Sequence, residues 1–152
     1  MKPTLHVTNH SSRRLHGPGR RLTIMAKPRQ WEHGDGKVTL LMPAPSWLEQ
    51  VRDGRMSMAE YRSRCEARFA GLTCPGGKVL IDDPLIPGRL LAEVGDIVGR
   101  PVVDGDTLCC ACSRDEAAAG RCHRVWVAAA LARAGWRVVL DGAELANTDS
   151  TR

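Results

Sequence analysis

Aromatic side chains, long apolar runs and early acidic residues are all scarce in this 152-residue sequence. Phenylalanine, tryptophan and tyrosine make up only 4% of it, so aliphatic side chains must fill most of the core. No apolar run approaches the roughly 18 residues that a membrane-spanning helix needs, and the first residues lack the apolar stretch of a secretory signal. We therefore expect a cytoplasmic protein with no membrane partner.

No acidic residue precedes Glu32, although seven basic side chains do. The first 31 residues therefore carry +7, and the rest of the chain carries a net −2 against the total of +5. Such a basic segment attracts the phosphates of a nucleotide or a nucleic acid. A solvated loop that only aids solubility would show the same composition, so both interpretations stay open.

The length and the order of the predicted elements indicate one α/β domain. A chain of this size is long enough for one core and short for two, so we expect a single compact domain over 1–145 and a polar tail over 146–152. Hydrophobicity patterns predict strands over 5–8, 21–26, 37–42, 78–81, 107–111 and 136–140, and helices over 89–98 and 122–134. The unit 107–140 has the length of a strand-helix-strand crossover, which predicts a mostly parallel sheet flanked by helices in a Rossmann-like, three-layer arrangement.

Two further helix starts are marked by a serine that stands three residues before a glutamate. Ser46 precedes Glu49, and Ser57 precedes Glu60, so each pair fits a capping box that satisfies free amide groups at a helix start. The second helix should extend to about residue 70. Its apolar face includes Cys65, to which we assign no function.

Cysteines concentrate in one part of the sequence, at Cys109, Cys110, Cys112 and Cys122. Thiols stay reduced in the cytoplasm, so core, ligand or reactive roles are expected rather than disulfides. Cys109 and Cys110 must point to opposite faces of a strand, which makes at least one of them a core residue. Cys74, in a turn sequence, has no activating neighbour.

The strand end and the following helix start predict a ligand site. In open parallel sheets, ligands bind where strands end and helices begin. The helix start should lower the pKa of Cys122, with His123 and Arg124 adding to the effect. Arg124 and Arg114 offer planar guanidinium groups that grip phosphate.

Other chemistries compete for the same residues. Zinc would use Cys110, Cys112, Cys122 and His123, but the spacing is atypical and the adjacent Cys-His pair makes tetrahedral closure awkward. A phosphatase or sulfurtransferase loop fits poorly, because Asp115 and Glu116 lie where anion-binding amides are needed.

The strand that ends in Leu108-Cys-Cys-Ala-Cys112, the short loop, and Cys122-His-Arg124 at the helix start resemble the family known as domain of unknown function 488 (DUF488). The order of elements and the segment Lys27-Pro-Arg29 resemble that family as well. The resemblance implies a compact α/β fold in a prokaryotic or phage protein. The positions of this sequence that match the family's motif are Cys110, Cys122, His123, Arg124 and, more weakly, Arg29. The family's usual opening stretch is replaced here by His6-Val-Thr-Asn-His10.

We accordingly predict a protein that binds or acts on a phosphate-bearing ligand, either a nucleotide or a nucleic acid. The predicted catalytic residues are Cys110, Cys122, His123 and Arg124, and the predicted ligand-binding residues are Thr8, Asn9, Arg29 and Arg114. No cofactor or metal is assigned. A non-catalytic module that binds nucleic acid or protein, and a structural zinc domain, are the alternatives.

Overall fold

A computed structural model of the chain describes residues 3–25, 35–38, 41–70, 80–81, 100–112, 117 and 119–145. The strands, numbered in chain order, are β1 (Thr4–Asn9), β2 (Arg21–Thr23), β3 (Gly36–Lys37), β4 (Leu80–Ile81), β5 (Arg100–Pro101), β6 (Thr107–Cys110), β7 (Arg137–Leu140) and β8 (Ala143–Glu144). The helices are α1 (Pro45–Arg52), α2 (Met58–Ala70) and α3 (His123–Arg133). Within these ranges, no helix has the length and apolar character needed to cross a bilayer.

Six strands form one mixed, mostly parallel sheet in the order β3-β2-β6-β1-β7-β8. β1 lies between β6 and β7 and is parallel to both, whereas β8 pairs antiparallel with β7. β4 and β5 form a separate antiparallel pair. The predicted α/β fold and the predicted strand-helix-strand crossover are therefore confirmed, and β1 lies between the two strands of that crossover.

One face of the sheet packs against the helices. Apolar side chains of four parallel strands alternate onto this face, and they join the side chains of α2 and α3 in one buried core. α3 contacts β1 and β7, and α2 covers α3. The ring of Tyr61 meets that of Trp126 edge to face with centroids 5.6 Å apart. The predicted apolar face of α2 is confirmed, since Tyr61, Cys65 and Phe69 are all buried.

The segment that follows β1 covers the opposite face. After a short 3₁₀ turn at Arg13–Leu15, the amide of Gly17 donates to Thr107 Oγ1 at 2.7 Å. A side chain at Gly17 would collide with the ring of His6 and the carbonyl oxygen of Gly105, so this close approach requires glycine. The segment after β1 and helix α3, which follows β6, thus lie on opposite faces of the sheet. In parallel sheets, ligands bind at the carboxyl ends of two neighbouring strands with this arrangement.

Helix starts show where capping predictions succeed and fail. The amide of Glu60 donates to Ser57 Oγ at 3.1 Å, which confirms the predicted cap of α2. The predicted cap at Ser46 is wrong, because Pro45 already opens α1 and Ala44 is the N-cap. Proline suits a first helical position, since it lacks the amide hydrogen that would be unsatisfied there.

Strand lengths differ from the predicted ones in two places. The second strand ends at Thr23, and the third covers only Gly36–Lys37, with Leu41 and Met42 outside any strand. Several predictions lie outside the described residues, namely the helix over 89–98, Cys74 and the tail 146–152. The extent of the domain over 1–145 stays a prediction.

Candidate functional site

Three cysteine sulfurs meet at the carboxyl end of β6. Cys110 is the last residue of this strand, and Cys122 is the N-cap of α3. Their Sγ atoms are 3.2 Å apart, and the Sγ atom of Cys112 completes a group whose members all lie within 4.8 Å of one another. Cys110 and Cys122 are buried, whereas Cys112 is half-buried. We call these three residues the thiol cluster.

Arg124 is the cation of this cluster and is completely buried. Its Nη1 atom donates to Cys110 Sγ at 3.0 Å and to the carbonyl oxygen of Cys112 at 2.7 Å, and it lies 3.7 Å from Cys122 Sγ. Its Nη2 atom donates to Asp141 Oδ2 at 3.0 Å. A guanidinium held on two sides by acceptors is fixed in position, so it presents one constant charge to the sulfurs.

Two side chains of β1 bind the same groups that accept hydrogen bonds from Arg124. Thr8 Oγ1 donates to Asp141 Oδ1 at 2.8 Å, and Asn9 Nδ2 donates to the carbonyl oxygen of Cys112 at 3.2 Å. Asp141 occupies the turn after β7 in the left-handed backbone region, with φ of 49°. Thr8 and Asn9, which the sequence predicts as ligand-binding residues, therefore bind groups of the protein itself.

His123 faces away from the sulfurs, toward β2. Its Nε2 atom lies 2.8 Å from the carbonyl oxygen of Ile24, so this nitrogen must carry the proton and donate it. Burial lowers the pKa of His123, and the imidazole is accordingly neutral at pH 7. Among the described residues, the group that could hold a metal ion consists of the thiol cluster alone, so three of the four predicted zinc ligands meet and His123 stays apart.

Cys110 is the thiol that its surroundings favour as a thiolate, since Arg124 Nη1 lies 3.0 Å from its sulfur and 3.7 Å from that of Cys122. Hydrogen bonding from Cys112 and Cys122, together with the charge of Arg124, holds the pKa of Cys110 well below its ordinary value despite burial. The two donor thiols retain their protons, so the pKa values of Cys112 and Cys122 are raised. The expected lowering of the Cys122 pKa is therefore wrong. As the N-cap, Cys122 makes no side-chain capping bond, and the nearby donors act on Cys110 instead.

Cys109 is separated from the cluster by the sheet itself. It faces the segment after β1, with its Sγ atom 3.8 Å from His16 Nε2. Burial raises its pKa to about 12. The opposite orientations predicted for Cys109 and Cys110 are confirmed, and Cys109 is a core residue.

The structure thus brings five of the eight predicted site residues into one network: Thr8, Asn9, Cys110, Cys122 and Arg124. Arg29 and Arg114 lie outside the described residues. Sequence reasoning missed Asp141. The signal was available, because Asp141 follows a strand predicted to be parallel and its side chain therefore emerges at the same sheet edge as Cys110.

Basic side chains also reach this end of the sheet. Arg13 and Arg14 are exposed in the 3₁₀ turn that follows the carboxyl end of β1. Arg20, by contrast, forms a 2.7 Å ion pair with the buried carboxylate of Asp106. Part of the basic segment therefore stabilises the fold, and only part is presented to solvent.

Comparison of the chain with protein-family models, with curated proteins and with solved structures gave no match.

Proposed function

We propose that this protein binds a thiophilic divalent metal ion, with zinc as the best fit, through Cys110, Cys112 and Cys122. The observation that supports this proposal is the mutual approach of three sulfurs within 4.8 Å at the end of a strand. Zinc bonds thiolates at about 2.3 Å, so neighbouring sulfurs in a tetrahedral site lie about 3.8 Å apart. The thiol cluster would need only small side-chain adjustments to reach that spacing.

Charge balance supports the same assignment. Three thiolates around a divalent ion leave one negative charge, which is costly in a buried position without compensation. Arg124 supplies a positive charge that is already in hydrogen-bond contact with Cys110. Residues around a metal site commonly hold its ligands in this way through hydrogen bonds. Arg124 would therefore be a positioning residue beside the metal rather than an anchor for phosphate.

A metal titration tests the proposal directly. The purified protein should bind one equivalent of zinc, and cobalt in its place should give a thiolate-to-metal absorption band. Cys110→Ser, Cys112→Ser and Cys122→Ser should each weaken binding strongly, because each removes one of three ligands. Cys65→Ala is the control, since Cys65 is also a buried cysteine but is not part of the thiol cluster. Zinc affinity that is absent, or equal in all four variants, would refute the proposal.

A second candidate function assigns the thiol cluster a reactive role instead of metal binding. In it, Cys110 is a reactive thiolate that acts on a phosphate-bearing ligand, a nucleotide or a nucleic acid. The position of the cluster at the carboxyl end of β6, beside β1, favours this candidate, because ligands of parallel sheets bind at such points. The resemblance to DUF488 supports this second candidate, because Cys110, Cys122 and Arg124 are among the residues on which that resemblance rests.

Phosphate binding separates the two candidates, because only the second requires it. The described contacts of Arg124 are internal, so the exposed Arg13 and Arg14 are the better phosphate contacts. Nucleotide binding that falls in the double variant Arg13→Ala and Arg14→Ala, in protein with no affinity for zinc, would favour the second candidate. Salt-dependent nucleic-acid binding that survives Cys122→Ala would instead indicate a non-catalytic interaction module.

A further inference from the structure

Two members of the thiol cluster are closer to each other than metal binding requires. The Sγ atoms of Cys110 and Cys122 are 3.2 Å apart, and the two residues belong to different elements, the end of β6 and the start of α3. A disulfide has a sulfur-sulfur distance of about 2.05 Å, so a movement of about 1 Å would join them. Both side chains are about 1% exposed, so this movement would occur inside the protein.

We propose that Cys110 and Cys122 form an oxidisable pair, which a small peroxide converts into an intramolecular disulfide. The pair is defined by the sulfur-sulfur contact and by the guanidinium of Arg124, which donates to Cys110 Sγ. This site of modification exists whether or not a metal binds. Its consequence for a metal rests on the proposed function.

The reaction has two steps that balance. The Cys110 thiolate attacks one oxygen of hydrogen peroxide, the O–O bond breaks, and hydroxide leaves to become water. Cys110 is now a sulfenic acid. The sulfur of Cys122 then attacks the sulfur of this acid as its own proton is lost, the S–O bond breaks, and a second water leaves. The two sulfurs have together lost two electrons, which the peroxide has taken up.

The surroundings select Cys110 as the attacking sulfur. The thiolate is the nucleophile in such reactions, and a neighbouring arginine favours that form. Cys109 faces the other side of the sheet and Cys65 lies on α2, so neither sulfur belongs to the thiol cluster. Arg124 keeps the thiolate beside Cys122 throughout, so the sulfenic acid forms within reach of its partner.

The geometry also favours Cys122 over Cys112 as the second sulfur. Cys112 lies two positions after Cys110 in the sequence, and a disulfide between them would close a very short loop. Cys122 approaches from another element, where the backbone does not have to close a tight ring. Cys112, which is half-buried, remains a free thiol at the surface side of the cluster.

Oxidation would remove two of the three sulfurs that the proposed function assigns to a metal. A disulfide sulfur carries no negative charge and is a poor zinc ligand, so Cys112 would be left as one thiolate. One thiolate cannot hold zinc against solvent. The oxidised protein should therefore lose its zinc, and reduction by a dithiol should restore zinc binding.

The decisive experiment treats the metal-free, wild-type protein with a small excess of hydrogen peroxide. Mass spectrometry should show the loss of two hydrogen atoms, and peptide mapping should find one disulfide that joins Cys110 to Cys122. Cys112→Ser should form the same disulfide. Cys122→Ser should stop at a sulfenic acid on Cys110 that a cyclic diketone traps. A disulfide between other cysteines, or overoxidation of the wild-type protein with no disulfide, would overturn the inference.

A second measurement separates this inference from the proposed function. Zinc-loaded protein is treated with peroxide, and a colorimetric chelator reports the zinc released, with one zinc expected for each disulfide. If the reduced protein binds no zinc but the disulfide forms, the proposed function fails and the oxidisable pair stands. If zinc binds and peroxide forms no link in the metal-free protein, the oxidisable pair fails alone.

Discussion

Thr8 Oγ1 donates a 2.8 Å hydrogen bond to Asp141 Oδ1 and so connects the central strand of the sheet to the turn after its neighbour β7. The other carboxylate oxygen of Asp141 accepts from Arg124, and Arg124 in turn donates to Cys110. Four side chains, from two strands, one turn and one helix, thus form a continuous chain of polar contacts. The charge that stabilises the thiolate is positioned by groups that do not touch the sulfurs.

Removing the cation of this network should destabilise the protein strongly. Arg124→Gln would leave the Cys110 thiolate and the Asp141 carboxylate without their buried partner, and breaking a buried ion pair in this way costs about 3 kcal/mol or more. Urea unfolding should show that loss in the free energy of unfolding. Arg55→Gln removes the same charge from an ion pair with Asp53 in which both side chains are more than half exposed, and it should cost at most about 1 kcal/mol. Equal costs in the two variants would contradict the role of Arg124.

The lowered pKa of Cys110 predicts a stability that rises with pH. The native protein loses the Cys110 proton at a lower pH than the unfolded chain, whose thiol has a pKa near 9.0. Between these two values the unfolded state binds more protons, so the free energy of unfolding should increase by up to about 1.4 kcal/mol per pH unit. Below the lowered pKa this contribution is lost.

Chemical unfolding of the metal-free protein at several pH values between 7 and 8 measures this slope, because the lowered pKa of His123 adds a slope of the same sign mainly below pH 7. Cys110→Ser should flatten it, because the variant has no thiolate to stabilise. Cys109→Ser serves as the comparison, since burial raises the pKa of Cys109 rather than lowering it. A slope that survives in Cys110→Ser would place the titrating group elsewhere.

Asp141 should influence metal affinity without touching a metal. Asp141→Asn keeps a residue type that tolerates a positive φ, but it removes the charge that orients Arg124. Losing such an outer partner typically weakens metal binding about 10-fold to 100-fold. Competition with a chelator of known affinity should detect the change.

A nearby carboxylate provides the control for that measurement. Glu144 pairs with Arg137 at the surface, with both side chains at least half exposed. Glu144→Gln makes the same chemical change close to Asp141 in sequence but outside the network, so zinc affinity should be unchanged. If both variants weaken binding alike, net charge rather than orientation would be the cause.

Two serines in similar sequence contexts should respond differently to alanine. Ser57 accepts the hydrogen bond of the Glu60 amide, so Ser57→Ala should cost about 1 kcal/mol of stability. Ser46 lies inside α1 after Pro45, where Ala44 is the N-cap, so Ser46→Ala should change stability by less than about 0.5 kcal/mol. Thermal unfolding of the two variants compares them directly, and a larger loss at Ser46 would contradict the observed helix start.

Local patterns in the sequence predicted most of what local forces decide. The alternation around Cys109 and Cys110, the apolar face of α2 and the crossover from β6 to β7 all follow from short-range periodicity. The position of β1 between β6 and β7 does not follow from such periodicity, because it depends on pairing between distant segments of the chain. For the same reason the lowered pKa was assigned to Cys122, although the groups that decide it surround Cys110. Asp141 could have been found, because it directly follows a predicted strand of the sheet.

The central position of β1 has a consequence for the order in which the protein can fold. Asn9 and Cys112, which are hydrogen-bonded in the site, lie 103 residues apart in the chain. During synthesis from the amino end, β1 therefore waits for both of its sheet neighbours until the last third of the sequence has emerged, and its apolar face has to be shielded in the meantime. In a nascent or truncated chain Arg124 does not yet lie beside Cys110, so correct assembly of the sheet is also what distinguishes Cys110 from the other thiols.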